Sequence, residues 1–336
     1  MPTAKEAVRF AICQLGQLPC SAEVRNAIDL ANQTQDAFLF SFQEKRFPLA
    51  EQYRLPNGGY DLDAAIAAIT RRHQLPRPLL FITAQAYSNI DYQDDPKGFF
   101  FFDQCAGKDA WAVSTHLWQK LAGSRALQPY VLHTLATIAF NLCAHLSMHN
   151  ETRGCPFDYC DNPCDIDKSL PLASLCPECS GHLDRALREG RSTLEQAAAA
   201  QRLLNRAAGR RQAFVAMPFP SPLDAVFRTI QSLLNEPEWR VVRADDQHHP
   251  RSITAAIIFA ILASDLFIAE LTGSNPNVFY ELGWAHATHR DVLLLTQEEK
   301  IPFDVTTERA IKYTPDDAGM ACLVRQLSRA TEISHS

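Results

Sequence analysis

The chain lacks any uninterrupted apolar run of about 18 residues, the length that a membrane-spanning helix needs. Its first residues also lack the apolar segment of a secretory signal peptide, which predicts a cytoplasmic protein. Basic residues are not in excess, since 32 Lys and Arg stand against 38 Asp and Glu for a formal net charge of −6. Without a basic field, tight binding to nucleic-acid phosphates is not expected. The sequence therefore predicts neither a membrane partner nor a nucleic-acid partner.

Cysteine, by contrast, is concentrated in one segment. Half of the 10 cysteines fall between positions 155 and 179, namely Cys155, Cys160, Cys164, Cys176 and Cys179. In a reducing compartment such a cluster indicates metal binding rather than disulfides. The spacing Cys176-Pro-Glu-Cys179 can present two thiolates to one tetrahedral Zn²⁺. We predict a structural zinc held by Cys155, Cys176 and Cys179, with either Cys160 or Cys164 as the fourth ligand.

The 336 residues, 46% of them hydrophobic, suit a soluble protein with two cores, and no internal repeat is visible. Residues 1–183 mix short strands and helices, including a long apolar helix predicted over 130–148, and so indicate an α+β domain that contains the zinc knuckle. Residues 184–210 are rich in Ala, Leu, Arg and Glu, which favours a helical connector. Residues 211–336 form the second domain.

The second domain alternates strands and helices. Strands are predicted at 213–217, 239–243, 265–269 and 291–296, and helices at 223–234, 253–263 and 278–288. This alternation predicts a parallel sheet covered by helices, so the whole chain is assigned to the α/β class.

A candidate active site follows from where these strands end. Ligands of open α/β sheets bind at the carboxyl ends of the strands, and Glu281 is placed there in the first turn of a helix that begins near Val278. When a base leaves a sugar, positive charge develops at C1′, and a carboxylate can stabilise that charge or bond to the carbon. We therefore predict Glu281 and Glu270 as catalytic residues. The predicted substrate-binding residues follow the same strand ends: Met217, Phe219, Arg243, Asp245, Asn275, Asn277 and Tyr280.

Other roles remain open for these residues. Glu281 could simply complement the dipole of its helix, as acidic residues in first turns often do. Glu270 could cap a loop, Asp245 could be a solvated turn residue, and Tyr280 could belong to the core or to an interface.

Five segments of the second half carry a family resemblance: AFVAMPF, RADD, IAELT, GSNPNVFYELGWAHA and IPFD. Over residues 211–315 the chain resembles the nucleoside 2-deoxyribosyltransferase-like branch of the Toll/interleukin-1 receptor (TIR) domains. The resemblance implies a flavodoxin-like fold that cleaves a glycosidic bond of a nucleoside or of NAD⁺, with NAD⁺ as a substrate rather than a cofactor. Several relatives are bacterial antiviral effectors that deplete NAD⁺. The chain departs from the family at Glu270, where Asp is usual.

Residues 9–183 resemble the archaemetzincin metallopeptidases, whose pattern is HExxHxxGxxHC followed by a further cysteine and a downstream CxxC. Placing His149 on the third histidine puts Cys155 on the later cysteine and Cys176 and Cys179 on the CxxC. The same register replaces the catalytic glutamate and the first two histidines by Ala139, Phe140 and Cys143. A zinc hydrolase needs an open metal position and a base, so we predict no proteolysis. The pair His145 and His149, which could share a helical face, is interpreted as packed or hydrogen-bonded.

The residues and the two resemblances lead to three hypotheses for the function. The leading one is an N-glycosidic hydrolase or transferase that acts on NAD⁺, a nucleoside or a nucleotide, as an antiviral-type effector whose N-terminal domain senses a partner or drives self-assembly. The alternative is a nucleotide-binding sensor or scaffold that does no chemistry. An active zinc metallopeptidase is the least favoured.

Overall fold

A computed structural model describes residues 6–95, 102–104, 109–116, 118, 127–159, 166–218, 223–234, 238–244, 253–300 and 310–333. The chain divides into two compact units, Met1–Ala208 and Gly209–Ser336. None of the helices within the described ranges has the length and apolarity needed to cross a membrane.

The first unit contains a mixed sheet with helices. Its strands are β1 Val8–Leu15, β2 Phe38–Phe47, β3 Tyr60–Asp61, β4 Leu79–Thr83, β5 Tyr87–Ser88, β6 Phe102–Gln104 and β7 Ala110–Ser114. Its helices are α1 Ser21–Thr34, α2 Leu62–His73, α3 Gln128–Ala144, α4 Ile166–Ser169, α5 Pro177–Arg188 and α6 Leu194–Ala207. In the described part, the main sheet has the order β2-β1-β4-β7-β6, with β6 antiparallel and the other pairs parallel.

Helix α3 is the central helix of this unit, because 13 of its 17 residues are buried. The segment 184–210, predicted as a helical connector, is largely helical. It consists of the end of α5 and of α6, and α6 packs along α3 within the first unit. Helix α6 begins at a capping box formed by Thr193 and Gln196, and its buried residues Leu203 and Leu204 explain why it joins the core rather than spanning solvent.

The second unit is a parallel α/β layer structure. Its elements are β8 Arg211–Ala216, α7 Asp224–Leu234, β9 Trp239–Arg243, α8 Ile253–Leu262, β10 Leu266–Glu270, α9 Pro276–Ala287, β11 Asp291–Thr296, β12 Ala310–Lys312 and α10 Asp317–Ile333. The described strands have the order β12-β11-β10-β8-β9, and every pair is parallel. Numbered from β8, this is the order 2-1-3-4-5 of flavodoxin-like sheets. The expected fold class is confirmed.

Both faces of this sheet are covered by helices. One core joins alternate strand residues such as Val215 and Ile268 to α7 and α10. The other joins Phe214, Phe267 and Ala269 to α8 and α9. Successive residues of a strand point to opposite faces, so a strand that is buried on both faces is apolar throughout. These continuous apolar runs explain why the strands could be predicted from the sequence.

Candidate functional site

A cavity of about 580 Å³ opens at the carboxyl edge of the second sheet. Its described lining follows β8, β9 and β10 and includes the first turns of α8 and α9. Strands β8 and β10 are neighbours, yet the chain leaves them toward opposite edges of the sheet. The cavity therefore lies at the switch point where ligands of flavodoxin-like sheets bind. Five predicted site residues line it: Met217, Asn275, Asn277, Tyr280 and Glu281.

Glu281 is a buried carboxyl group on the wall of this cavity, with 8% of its surface exposed. Burial raises its pKa from 4.5 to about 7. Helix α9 begins at Pro276, with Asn275 as its N-cap, so Glu281 lies in the second turn and not in the first turn that the sequence predicted. Helix-dipole stabilisation fades within the first turn, so it does not account for this carboxylate. A buried acid of nearly neutral pKa can exchange a proton or serve as a carboxylate near pH 7.

Glu270 occupies a different environment, because it is fully buried and is not part of the described cavity lining. Its Oε1 accepts hydrogen bonds from Thr272 Oγ1 at 2.5 Å and Tyr313 Oη at 3.1 Å, and its Oε2 accepts one from the Thr272 amide at 3.1 Å. Burial raises the pKa of Glu270, and the bonds from Thr272 and Tyr313 oppose that rise. These contacts are the loop-capping ones that the sequence left open. They fix the loop that leads from β10 to Asn275.

Two of the remaining predicted residues, Phe219 and Asp245, lie outside the described residues. Arg243 is placed, but it is not among the described lining residues. Its Nη1 lies 3.2 Å from Asp224 Oδ1, and its guanidinium lies 4.2 Å from the centroid of the Phe227 ring. These contacts tie Arg243 to helix α7, and they account for its placement without a substrate.

The remaining part of the wall, which is mostly apolar, was not predicted from the sequence. The residues concerned are Pro218, Ala244, Ile253, Thr254, Ile257 and Val278. Ile253 is 80% exposed and Tyr280 is 54% exposed, so two large apolar side chains face solvent at the cavity. The signal was present in the sequence, since α8 reads ITAAIIFAIL and a helix that is apolar all round has more apolar surface than one core face can bury. The cavity thus combines a carboxyl group, amide side chains and an apolar surface able to receive a planar ring.

In the first unit, four candidate ligands for one metal ion come together. They are His149, Cys155, Cys176 and Cys179, whose ligand atoms all lie within 4.8 Å of one another. The three cysteines are buried, and Cys176 is the N-cap of α5. Three sulfurs and one imidazole nitrogen form a donor set that suits zinc. Cys160 and Cys164, between which the sequence left the fourth position open, lie outside the described residues.

The histidine pair was interpreted from the sequence as packed or hydrogen-bonded, and His149 is hydrogen-bonded, since its Nδ1 lies 3.1 Å from the Glu151 carbonyl oxygen. Helix α3 ends at Ala144, and His145 is its C-cap in the left-handed conformation with φ 49°. His145 and His149 therefore do not share a helical face. His149 Nε2 lies 3.5 Å from Cys176 Sγ, so its ring faces the sulfur cluster. Among the residues in the peptidase register, Ala139, Phe140 and Cys143 are buried along α3.

No protein-family model matches the chain, and no curated protein matches it significantly. Solved structures that are similar include an archaemetzincin from Methanopyrus kandleri, with 14% identity and a TM-score of 0.40 over 56% of this chain and 99% of that one. A CMP N-glycosidase from Clostridium botulinum has 23% identity and a TM-score of 0.27 over 35% and 99%. A 2-desoxiribosyltransferase from Leishmania mexicana has 16% identity and a TM-score of 0.27 over 34% and 97%.

The similar structures thus include both kinds of protein that the two halves of the sequence resemble, an archaemetzincin and a deoxyribosyltransferase. All three TM-scores lie below 0.5, so the function of this chain has to be inferred from its own residues.

Proposed function

We propose that this protein cleaves the N-glycosidic bond of a nucleoside, a nucleotide or NAD⁺ in the cavity of its second unit. The observation that carries the proposal is Glu281, a desolvated carboxyl group on the wall of a cavity at the switch point of the sheet. Perturbed acids in such cavities are characteristic of catalytic sites, because a structural carboxylate would gain more from solvent or from a charged partner.

The reaction assigns a role to each part of the wall. As the C1′–N bond breaks, its electron pair leaves with the base, and positive charge develops on C1′ and the ring oxygen. In this proposal the Glu281 carboxylate stabilises that charge or bonds to C1′. Water or an acceptor base then attacks C1′, which displaces the Glu281 carboxylate if it had bonded there, and the attacking group loses a proton. A departing purine or pyrimidine takes up that proton, whereas nicotinamide leaves NAD⁺ as a neutral molecule and the proton passes to solvent. Asn275 and Asn277 offer amide groups for sugar hydroxyls, while Tyr280 and Ile257 offer apolar surface for a base.

The assay for this function uses the full chain with NAD⁺, deoxynucleosides and nucleoside monophosphates, and measures released base by liquid chromatography and mass spectrometry. We expect Glu281→Gln to reduce base release by at least about a hundredfold, because one missing transition-state charge contact costs about that much. Glu299→Gln is the matched control, since Glu299 has a fully solvated side chain opposite Lys312. If Glu281 acts as the carboxylate, kcat/KM should rise as the pH passes about 7.

A nucleotide sensor without catalysis is the second candidate. It is favoured by the placement of Glu270, which leaves Glu281 as the one acidic residue in the described lining. Calorimetry that detects tight nucleotide binding, together with an intact glycosidic bond after long incubation, would select this candidate over the first.

For both candidate functions we propose that the first unit does not cleave peptides but senses a ligand or drives assembly. We also propose that the protein acts as an antiviral effector. A peptidase is not proposed, because buried α3 residues occupy the register of its catalytic groups.

A further inference from the structure

The sulfur and nitrogen atoms of the first unit have the spacing of a metal coordination sphere. Zinc bonds of about 2.3 Å to sulfur and 2.0–2.1 Å to nitrogen, at a tetrahedral angle, place a sulfur and a nitrogen ligand about 3.6 Å apart. His149 Nε2 and Cys176 Sγ are separated by 3.5 Å. The other ligand atoms, on Cys155 and Cys179, lie within 4.8 Å of these two.

The tautomer of His149 is set by what its other nitrogen contacts. Nδ1 lies 3.2 Å from Asp158 Oδ1 and 3.1 Å from the Glu151 carbonyl oxygen. The Glu151 carbonyl can only accept and the Asp158 carboxylate is negatively charged, so Nδ1 carries the proton and donates it to the Glu151 carbonyl. In a neutral ring, Nε2 is then left unprotonated, with its lone pair directed at the cluster. A histidine that donates through one nitrogen to a backbone carbonyl or a carboxylate, and binds a metal through the other, is the usual arrangement in zinc sites.

Asp158 also organises the loop that carries the first cysteine ligand. Its Oδ2 accepts hydrogen bonds from the backbone amides of Arg153 at 2.9 Å, Gly154 at 2.6 Å and Cys155 at 3.0 Å. The backbone of His149 is joined to the far side of the same loop, because its amide donates to the Phe157 carbonyl and its carbonyl accepts from the Tyr159 amide, each at 2.9 Å. One buried carboxylate therefore holds the loop of Cys155 through Oδ2 and lies beside Nδ1 of the histidine ligand through Oδ1.

The surroundings also suit the charge of such a centre. Three thiolates and one Zn²⁺ carry a net charge of −1. The Cys179 amide donates to Cys176 Sγ at 3.5 Å, and Arg153 Nη1 lies 3.9 Å from the same sulfur. Arg153 is itself held by Glu178 at 2.8 Å. A cation and a backbone donor therefore lie beside this sulfur, where they can offset the negative charge of the centre.

We propose that His149, Cys155, Cys176 and Cys179 form a closed Cys₃His zinc centre, with Asp158 as the positioning residue. Neither Cys160 nor Cys164 is then a ligand. All four tetrahedral positions are taken by protein atoms, so no position remains for a water molecule, and the centre is structural rather than hydrolytic. The proposal does not depend on the reaction at Glu281.

The test measures metal content and ligand chemistry in the full chain. We expect about one zinc per chain by mass spectrometry of the metal, and one zinc retained when Cys160 and Cys164 are both changed to Ser. In the cobalt-substituted protein, His149→Cys should keep the metal and change its visible spectrum from that of an S₃N site to that of an S₄ site. Asp158→Asn should keep the S₃N spectrum but weaken zinc binding by about 10- to 100-fold in chelator competition.

His145→Ala is the control, because His145 lies just beyond the end of α3 and outside the cluster. It should alter neither the spectrum nor the affinity. The proposal is overturned if the spectrum of His149→Cys equals that of the parent, or if the Cys160 and Cys164 double variant loses its zinc. The His149→Cys readout stays decisive even where His149→Ala fails to fold, since a cysteine retains a ligand.

Discussion

Removing the charge of Glu281 should stabilise the second unit at neutral and alkaline pH. The unfolded chain releases the proton of this carboxyl group near its ordinary pKa of 4.5, whereas burial keeps the proton on the folded chain up to about pH 7. Between these values the folded state binds more protons than the unfolded state, so stability falls as pH rises. The contribution is fully present below about pH 4.5 and is lost by the time the pH has passed about 7.

The size of the effect follows from the interval between the two pKa values. At 1.36 kcal/mol per pH unit, the interval from 4.5 to about 7 corresponds to a penalty of about 3 kcal/mol on the charged folded state. Glutamine has the shape of protonated glutamate and no charge to desolvate. We therefore expect Glu281→Gln to exceed the parent in stability by about 2–3 kcal/mol more at pH 8 than at pH 5.

The measurement has to report on the second unit separately. Urea-dependent hydrogen exchange of peptides from β10 and β11 in the full chain does so, because these strands are buried at the centre of that unit's sheet. Glu299→Gln serves as the exposed control and should follow the parent at every pH, since exposed ion pairs contribute little. Parallel loss of stability in the parent and in Glu281→Gln between pH 5 and pH 8 would refute the reasoning.

Two further substitutions test how the units are built. Tyr313→Phe removes a hydrogen-bond donor to buried Glu270. We expect the free energy of unfolding, measured by urea titration, to fall by about 1–3 kcal/mol. An unchanged free energy would show that the hydrogen bond between Tyr313 and Glu270 does not form. Thr193→Ala removes the side-chain N-cap of α6 and should lower the free energy of unfolding by about 1 kcal/mol, whereas Thr193→Ser should leave it nearly unchanged. If both variants had the same midpoint in thermal denaturation, the capping box would not stabilise the helix.

Most of the second unit could be predicted from sequence because its signals are local. A strand buried on both faces is continuously apolar, and Asn275-Pro276 marks a helix start through the cap and the proline of the first turn. The prediction erred by about two residues at that start, which was enough to move Glu281 from the first turn to the second. Strand β12 and helix α10 were not predicted. Strand β12 is only three residues long, and its pairing with β11 is decided by the sheet rather than by its own sequence.

The two acidic candidates show where sequence reasoning ended. Glu270 and Glu281 were both placed at the carboxyl edge of the sheet, and both lie there. The sequence had no means of telling which one faces the cavity, because the answer depends on Tyr313, 43 positions from Glu270 along the chain. That long-range hydrogen bond, together with Thr272, turns Glu270 inward. Glu281 lines the cavity instead.

The sequence by itself determined the α/β class, the carboxyl edge that carries the cavity and three of the candidate metal ligands, since each depends on residue type and short spacing. Only the tertiary structure decided that α6 belongs to the first unit, that Glu270 caps a loop and that His149 faces the cysteine cluster. Those outcomes depend on contacts between distant residues. In the case of His149, they depend on an α3 that ends before the histidine, and on the Glu151 carbonyl and the Asp158 carboxylate, which lie beside the ring nitrogen opposite the sulfur cluster.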